Sequence, residues 1–435
     1  TSNKHMDLDW VSMRLHPNLF LLRENNMTNA QERSYQDGAQ RASSGDAWRD
    51  YCRVLEIAGK LIDTIEGPLN DIDRAEWFRF LTRLMRNGAE RFMENSEPER
   101  PRLRDTPWRQ GINFQSPDQD HLLCEFIDGT HDYFIEGTLG TIPYFVIASW
   151  SAPMPVDAGN SDWAENGVDG LAEFNPAALR TTGFLQSNML RTDENGKFEI
   201  IVSCNNPGEG HNWLPIEADC AGLLVRNVYH DRAGVIPPQF YIRRFDGSKP
   251  SPISLSDVSL NLARAGQTVL AYANMVCHWW RETLAASENR IVFDDEVYLS
   301  NGGVADRYHG FGRWSCQHDR ALVIEFTPGK CEYWIFQLCN MWQENLDNYE
   351  DGDGYTQKKI SKKLSDGTIR VIVAHEDPGI EGNYISPFGH TQGGMSLRLI
   401  KPQAPAPKVV LYDVALEELK QFGLDALKTQ KPVTS

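Results

Sequence analysis

At 435 residues the chain exceeds what one core usually fills, and 41% hydrophobic with 10% aromatic residues suits two or three buried domains. A formal net charge of -17, without any Lys/Arg-rich run, argues against nucleic acid and anionic membrane as partners. No run of eighteen apolar residues and no basic, apolar and small-residue leader is found, so a soluble, cytoplasmic protein is expected.

Residues 1–45 read as a partly irregular extension. From Asp46 the residues Trp48, Tyr51, Cys52, Leu55, Ala58, Ile62 and Ile65 recur at three- and four-residue steps, predicting a helix that Gly67-Pro68 closes. A second helix is predicted from Asp73, with Glu76 at capping-box spacing, and it carries Trp77, Phe80, Leu81, Leu84, Met85 and Phe92. The two are expected to pair as an antiparallel hairpin over 46–97. Residues 98–120, rich in Pro and charge, form a connector. Runs such as YFVIASW and FEIIVSC predict buried strands in a first β unit over 121–232, interrupted by an insertion at 158–180. The linker 233–308 holds a long helix, expected over 256–287, marked by Leu260, Ala263, Val269, Tyr272, Val276, Trp279 and Trp280. A second β unit follows over 309–402, and the tail 403–435 carries a helix from Asp413 to about Lys428.

Part of the chain recurs. GKFEIIVSCNNPGEGHNWL from Gly196 and GTIRVIVAHEDPGIEGNYI from Gly367 share Gly, Pro-Gly, Asn and an aromatic at identical intervals. Upstream, IEGTLGTIPYF around Glu136 matches IEFTPGKCEYW around Glu325. The expected fold is therefore mainly β with helical additions: two related β-sandwich, jelly-roll-like units, an N-terminal helical hairpin and a bridging helix. Gly208 and Gly379 can adopt positive φ and Pro207 and Pro378 preset the turn, so this shared element reads as a folding requirement rather than a reaction.

The string through Pro207, Gly208, Asn212, Trp213, Leu214, Pro215 and Arg226 resembles the signature of family 1214 of domains of unknown function. The second copy departs from it, with Tyr384 in place of the Trp and Ser386 in place of the Pro. That resemblance implies β-sandwich proteins tied to carbohydrate or small-molecule metabolism, and it supplies no catalytic residue.

Residues peculiar to one copy are the better chemical candidates. DRYHGFGRWSCQHD places Tyr308, His309, Trp314, His318 and Asp319 among glycines, in what reads as an accessible loop. An imidazole beside a carboxylate suits general acid-base work, and tyrosine can donate a proton. His230 and Asp231, at the end of a strand, offer the same inventory. Arg226 and Arg398 can grip a carboxylate with two hydrogen bonds, and Trp213, Trp279 and Trp280 offer flat faces to a ligand. His278 and Glu282, four apart on one helix face, read as a salt bridge. The acidic run NYEDGDGY lacks the spacing of a calcium loop, and eight residues between His309 and His318 match no zinc pattern. The cysteines show no CxxC pair and read as reduced thiols.

The expectation is an enzyme without metal or organic cofactor, acting on a small apolar, aromatic or glycosidic metabolite by elimination, isomerisation or hydrolysis near the junction of the units. The alternative is a non-catalytic carbohydrate- or metabolite-binding sandwich, and either is compatible with a homo-oligomer.

Overall fold

The structure is a computed structural model and describes residues 37–106, 114–151, 180–284, 287–294, 306–346 and 354–434. Helix α1, Asp46–Lys60, buries Ala47, Val54 and Ala58 along one face. Helix α2, Asp71–Ala89, starts two residues before the expected Asp73, because Asn70 and Asp73 form a capping box of their own. The Asn70 side-chain oxygen accepts from the Asp73 amide at 2.8 Å, and the Asp73 carboxylate accepts from the Asn70 amide at 3.3 Å. Glu76 is thereby left for another role. Helix α3, Leu255–His278, is capped in the same reciprocal way by Ser254 and Asp257. It ends short of the expected 287, where a wider turn over Trp279–Leu284 takes over. Both α1 and α2 pack chiefly on α3 rather than on each other, so the expected hairpin is a three-helix layer.

The first β unit contains β1 (Arg104–Asp105), β2 (Gln119–Cys124), β3 (Tyr133–Thr138), β4 (Tyr144–Ser151), β5 (Arg180–Gln186), β6 (Lys197–Ser203), β7 (Asn212–Pro215), β8 (Gly222–Val228) and β9 (Gln239–Arg244). The second contains β10 (Val292–Phe293), β11 (Arg307–Ser315), β12 (Arg320–Phe326), β13 (Tyr333–Leu338), β14 (Tyr355–Gln357), β15 (Ile369–Ala374), β16 (Asn383–Ile385), β17 (Gln392–Ile400), β18 (Val409–Ala415) and β19 (Val433–Thr434). The first unit's sheets run β1-β2-β8-β4-β5 and β7-β6-β3-β9. Those of the second run β10-β11-β17-β13-β14 and β16-β15-β12-β18-β19, the same order with one strand added. In each unit one pair, β6 with β7 and β15 with β16, is parallel among antiparallel ladders. Each sandwich encloses its own core, built on Ile135, Ile200 and Val225 in the first and on Ile324, Val371 and Leu397 in the second.

Three expectations shift. The glycine-rich segment around His309 is strand β11 and not a loop, and its pairing with β17 explains why small residues are tolerated there: Gly310 and Gly312 lie against Ile291 and the Arg290 carbonyl. Asp413 belongs to β18, with helix α4 (Leu416–Phe422) beginning after it. The insertion at 158–180 lies, apart from Arg180, outside the described residues.

The recurring Asn marks a shared brace. Asn212 accepts from the Arg191 amide at 2.8 Å and donates to the Arg191 and Glu199 carbonyls at 2.9 and 2.8 Å. Asn383 accepts from the Lys362 amide at 2.6 Å and donates to the Lys362 and Arg370 carbonyls, both at 2.9 Å. The next residue repeats the pattern: Trp213 Nε1 donates to the Ser203 carbonyl and the Tyr384 hydroxyl to that of Ala374, each at 3.0 Å. Gly208 and Gly379 take φ of 96° and 72° in the preceding turn, where a side chain would be strained. Asn212→Ala and Asn383→Ala should therefore destabilise the protein similarly, by about 1–3 kcal/mol each. Urea unfolding checks this, and a loss at one site alone would deny the shared role.

The helical layer is fastened to the second unit by the turn after β13. Trp342 and Trp77 are fully buried with ring centroids 4.7 Å apart, and Trp342 Nε1 donates to the Asp73 carbonyl at 3.0 Å. Asn340 Nδ2 donates to Glu76 at 2.7 Å and to Glu344 at 3.0 Å, His390 Nε2 meets Glu76 at 2.8 Å, and Arg83 is paired with Glu344. Burial works to raise Glu76, but His390 and Asn340 outweigh it and hold that carboxyl below its ordinary value. For Glu344 burial prevails over Arg83, and its carboxyl titrates above the usual range.

Candidate functional site

Alternation along the strands decides which side chains meet between the units. Cys124, Leu223 and Val225 fill the first sandwich, so His121, Leu224 and Arg226 project from its other face. Trp314, Leu397 and Leu399 fill the second, so His309, Phe311 and Arg398 project outward there. These outer faces form a junction. Arg398 Nη2 donates to the Phe114 carbonyl at 3.1 Å, Gln337 Nε2 to that of Gln115 at 3.2 Å, and Gln357 Nε2 to that of His230 at 2.6 Å. Trp279, just past α3, adds an apolar wall, its ring 5.6 Å from Phe311 and 6.2 Å from Phe114.

Two matched pairs lie on these faces. His121 is the cross-strand partner of Arg226 between β2 and β8, as His309 is of Arg398 between the corresponding β11 and β17. Arg398 Nη2 lies 3.2 Å from His309 Nε2, and since a guanidinium only donates, that ring nitrogen is bare. Burial holds both imidazoles well below their ordinary pKa; Arg226 and Arg398 add to this at His121, and Arg398 and Arg307 at His309. Arg398 thus acts on histidines of both units.

A second cluster adjoins it. His230, just beyond β8, has φ of 55°, a left-handed backbone that is costly for a non-glycine residue. Its ring stacks on Tyr333 of the second unit at 4.0 Å and 12°, and meets Tyr144 edge-on at 6.1 Å. Asp118 is 2% exposed, and one of its oxygens accepts from Ser116 Oγ at 2.5 Å. Asp118 Oδ2, His230 Nε2 and Tyr333 Oη are all buried and lack a hydrogen bond of ordinary geometry, although the Tyr333 hydroxyl lies within reach of the Asp118 charge. Burial, reinforced by that carboxylate, pushes the Tyr333 phenol far above its usual range and keeps it protonated. Burial lowers His230, with Asp118 opposing, and burial pushes Tyr144 up to about 12. A neutral imidazole, a protonated phenol and a carboxylate therefore meet at one place.

The candidates read from sequence divide accordingly. His230, His309, Arg226, Arg398 and Trp279 face the junction. Asp231 is exposed and accepts from the Ala233 amide at 2.9 Å in a turn. Trp314 is buried inside the second sandwich, its Nε1 donating to the Cys339 carbonyl at 3.0 Å, and Tyr308 packs beside Phe293 on the same side. Trp280 lies under the Arg313 guanidinium at 4.6 Å. His318 and Asp319 are exposed in the turn after β11, whose end at Ser315 lies six residues, roughly 20 Å along the strand, from His309. His318 instead meets His375, with rings 3.9 Å apart. Trp213 lines an open cleft of about 420 Å³ with Met189, Arg191, Asn206 and His211, on the surface beside the Asn212 brace. The Glu282 side chain and most of NYEDGDGY lie outside the described residues.

Asp118, His121, Tyr144 and Tyr333 escaped the sequence reading, although Asp-x-x-His occurs at both Asp118 and Asp306. Among the described residues no three His, Cys, Asp or Glu side chains converge as metal ligands, and no helix is long and apolar enough to cross a membrane.

Two like sandwiches meeting at a polar seam define a duplicated β-sandwich protein. Residues 124–230 match the family described as protein of unknown function DUF1214, a segment that includes Arg226 and His230. The second sheet pair repeats that unit. A crystal structure of an uncharacterised protein from Burkholderia cenocepacia is similar at 28% identity with a TM-score of 0.75, covering 88% of this chain and 100% of that one. A protein from Vibrio parahaemolyticus aligns at 10% identity and a TM-score of 0.40 over 82% of this chain and 99% of its own. None of the curated proteins matches the chain.

Proposed function

We propose that this protein is an enzyme acting on a small molecule held between its two sandwiches, by general acid-base chemistry. His230 serves as the base, Tyr333 as the proton donor, and Asp118 sets the charge that each of them feels. One observation carries this: an imidazole, a phenol and a carboxylate from both units meet in the interior, the His230 ring stacked on Tyr333 and the Tyr333 hydroxyl directed at Asp118. The left-handed backbone at His230 adds to this, since strain of that kind concentrates at functional sites. A neutral imidazole and a protonated phenol are the forms that abstract and return a proton at neutral pH. Abstraction and return of a proton serve elimination, isomerisation and hydrolysis alike.

Incubating a small-metabolite extract with the full chain, and following it by mass spectrometry, tests the proposal. The parent should consume a compound that Tyr333→Phe and His230→Gln, folded by circular dichroism, leave largely unchanged. Equal turnover by all three proteins would overturn it. Retention of a compound without conversion would replace the enzyme with a binding protein.

A further inference from the structure

The two sandwiches differ at one sheet edge. In the second unit the sheet continues past β18 to β19, whereas the matching sheet of the first unit stops at β9. The registers give the correspondence residue by residue: Ile242 and Tyr241 of β9 face Ile135 and Glu136 of β3, as Leu411 and Val410 of β18 face Ile324 and Glu325 of β12. Leu411 and Val410 are the residues that pair with Val433 and Thr434 of β19. Ile242 and Tyr241 have no such strand beside them among the described residues. Burial follows suit: Leu411 is 2% exposed, Ile242 stays half-buried, and Tyr241 stands 71% exposed.

The Phe245 amide donates to the Asp132 carbonyl at 2.9 Å, so by the alternation of an antiparallel ladder Gln239, Tyr241 and Arg243 bond to β3, while Phe240, Ile242 and Arg244 turn their backbone groups outward. Pro238 has no N–H, and the Arg244 carbonyl already accepts from Gly247 at 3.4 Å. The open stretch therefore runs from Gln239 to Arg243, with Tyr241 at its centre. We propose that β9 pairs antiparallel with β9 of a second copy of this chain, about a two-fold axis at Tyr241, joining the two sheets edge to edge. The segment is complementary to itself. Under that symmetry Phe240 and Ile242 of one copy exchange backbone bonds with Ile242 and Phe240 of the other, Arg243 lies opposite Gln239, and no like charges face each other. The two Tyr241 rings meet in the narrow type of pair, where side chains come closest. Ile236 and Phe245, both exposed, flank the strand, and the symmetry brings Phe245 of one copy toward Ile236 of the other, covering apolar surface. An uncovered edge of this kind is a template for a further strand. The interface is short, and a net charge of -17 on each copy opposes it, so the dimer is a reversible one.

Sedimentation velocity of the full chain from about 1 to about 100 μM, in about 0.5 M salt to screen the repulsion, tests this. The parent should pass from one copy to two across that range. Tyr241→Lys, which sets two like charges on the axis, and Ile242→Pro, which removes an outward N–H and spares the ladder to β3, should each weaken dimerisation about tenfold or more. Met189→Lys, on an exposed residue beyond β5, should leave it unchanged. A covalent trap reads the register. With the exposed Cys52 and Cys204 replaced by Ser, Tyr241→Cys should give a disulfide-linked dimer on oxidation with diamide, since facing Cα atoms of a narrow pair lie about 4.5 Å apart. Glu199→Cys, exposed on β6 of the same sheet, should not. A folded parent that stays monomeric throughout, self-association untouched by both β9 variants, or equal cross-linking from positions 241 and 199 overturns the proposal.

Discussion

Trp342→Ala should lower the unfolding free energy by about 3–5 kcal/mol, because a fully buried indole is removed from a layer that cannot close around the gap. Trp342 is 0% exposed and touches Trp77, itself 0% exposed, and its Nε1 bond to the Asp73 carbonyl disappears with it. The helical layer should loosen first, since this contact joins α2 to the second sandwich. Trp342→Phe, which keeps much of the volume and loses only the bond, should recover more than half of the effect. Denaturant unfolding followed by far-ultraviolet circular dichroism reads both. A loss below about 1 kcal/mol would mean the layer is held elsewhere.

Arg83→Met should cost a similar amount, about 3–5 kcal/mol at neutral pH, by stranding Glu344 as a buried charge. Glu344 is 0% exposed, and among the described residues Asn340 is the side-chain partner it retains once the guanidinium is gone. The pH dependence carries the sign of the cause. Burial already raises the folded-state pKa of Glu344, and losing Arg83 raises it further. A carboxyl raised on folding favours the native state when protonated, and that advantage fades as pH climbs through the folded value. The penalty should thus shrink on acidification toward about pH 5 and grow toward about pH 8. Glu344→Gln in the Arg83→Met background should restore most of the lost stability, and a pH-independent penalty would rule out the buried charge as its source.

Much of the architecture was legible because its turns are built from residues with few alternatives. Pro207-Gly208 and Pro378-Gly379 force the same bend, and the Asn four residues after each glycine braces the same carbonyls, so two sandwiches could be inferred from intervals alone. Helix α3 was legible from its periodicity. Its end was not, since Trp279 and Trp280 continue the apolar spacing while the backbone widens. The candidate site was legible only by residue type. His309 read as a loop residue because glycines surround it, whereas those glycines admit Arg290 and Ile291 against β11. Asp118 and Tyr333 lie 215 positions apart, and their meeting follows from how two sheets pack face to face, which no local spacing encodes.

The seam also has a direction. Asp118 accepts from the Tyr229 amide at 2.9 Å and Asp306 from the Lys401 amide at 2.8 Å through their carbonyls, so the strands leave the seam alike on both sides. Yet the residue after Tyr229 is His230, and the residue after Lys401 is Pro402. Two identical subunits would have offered an incoming molecule the same welcome from either end. Joined in one polypeptide, the halves place an imidazole after one strand and a ring that cannot take up a proton after its counterpart, so the two ends of the seam are chemically unlike.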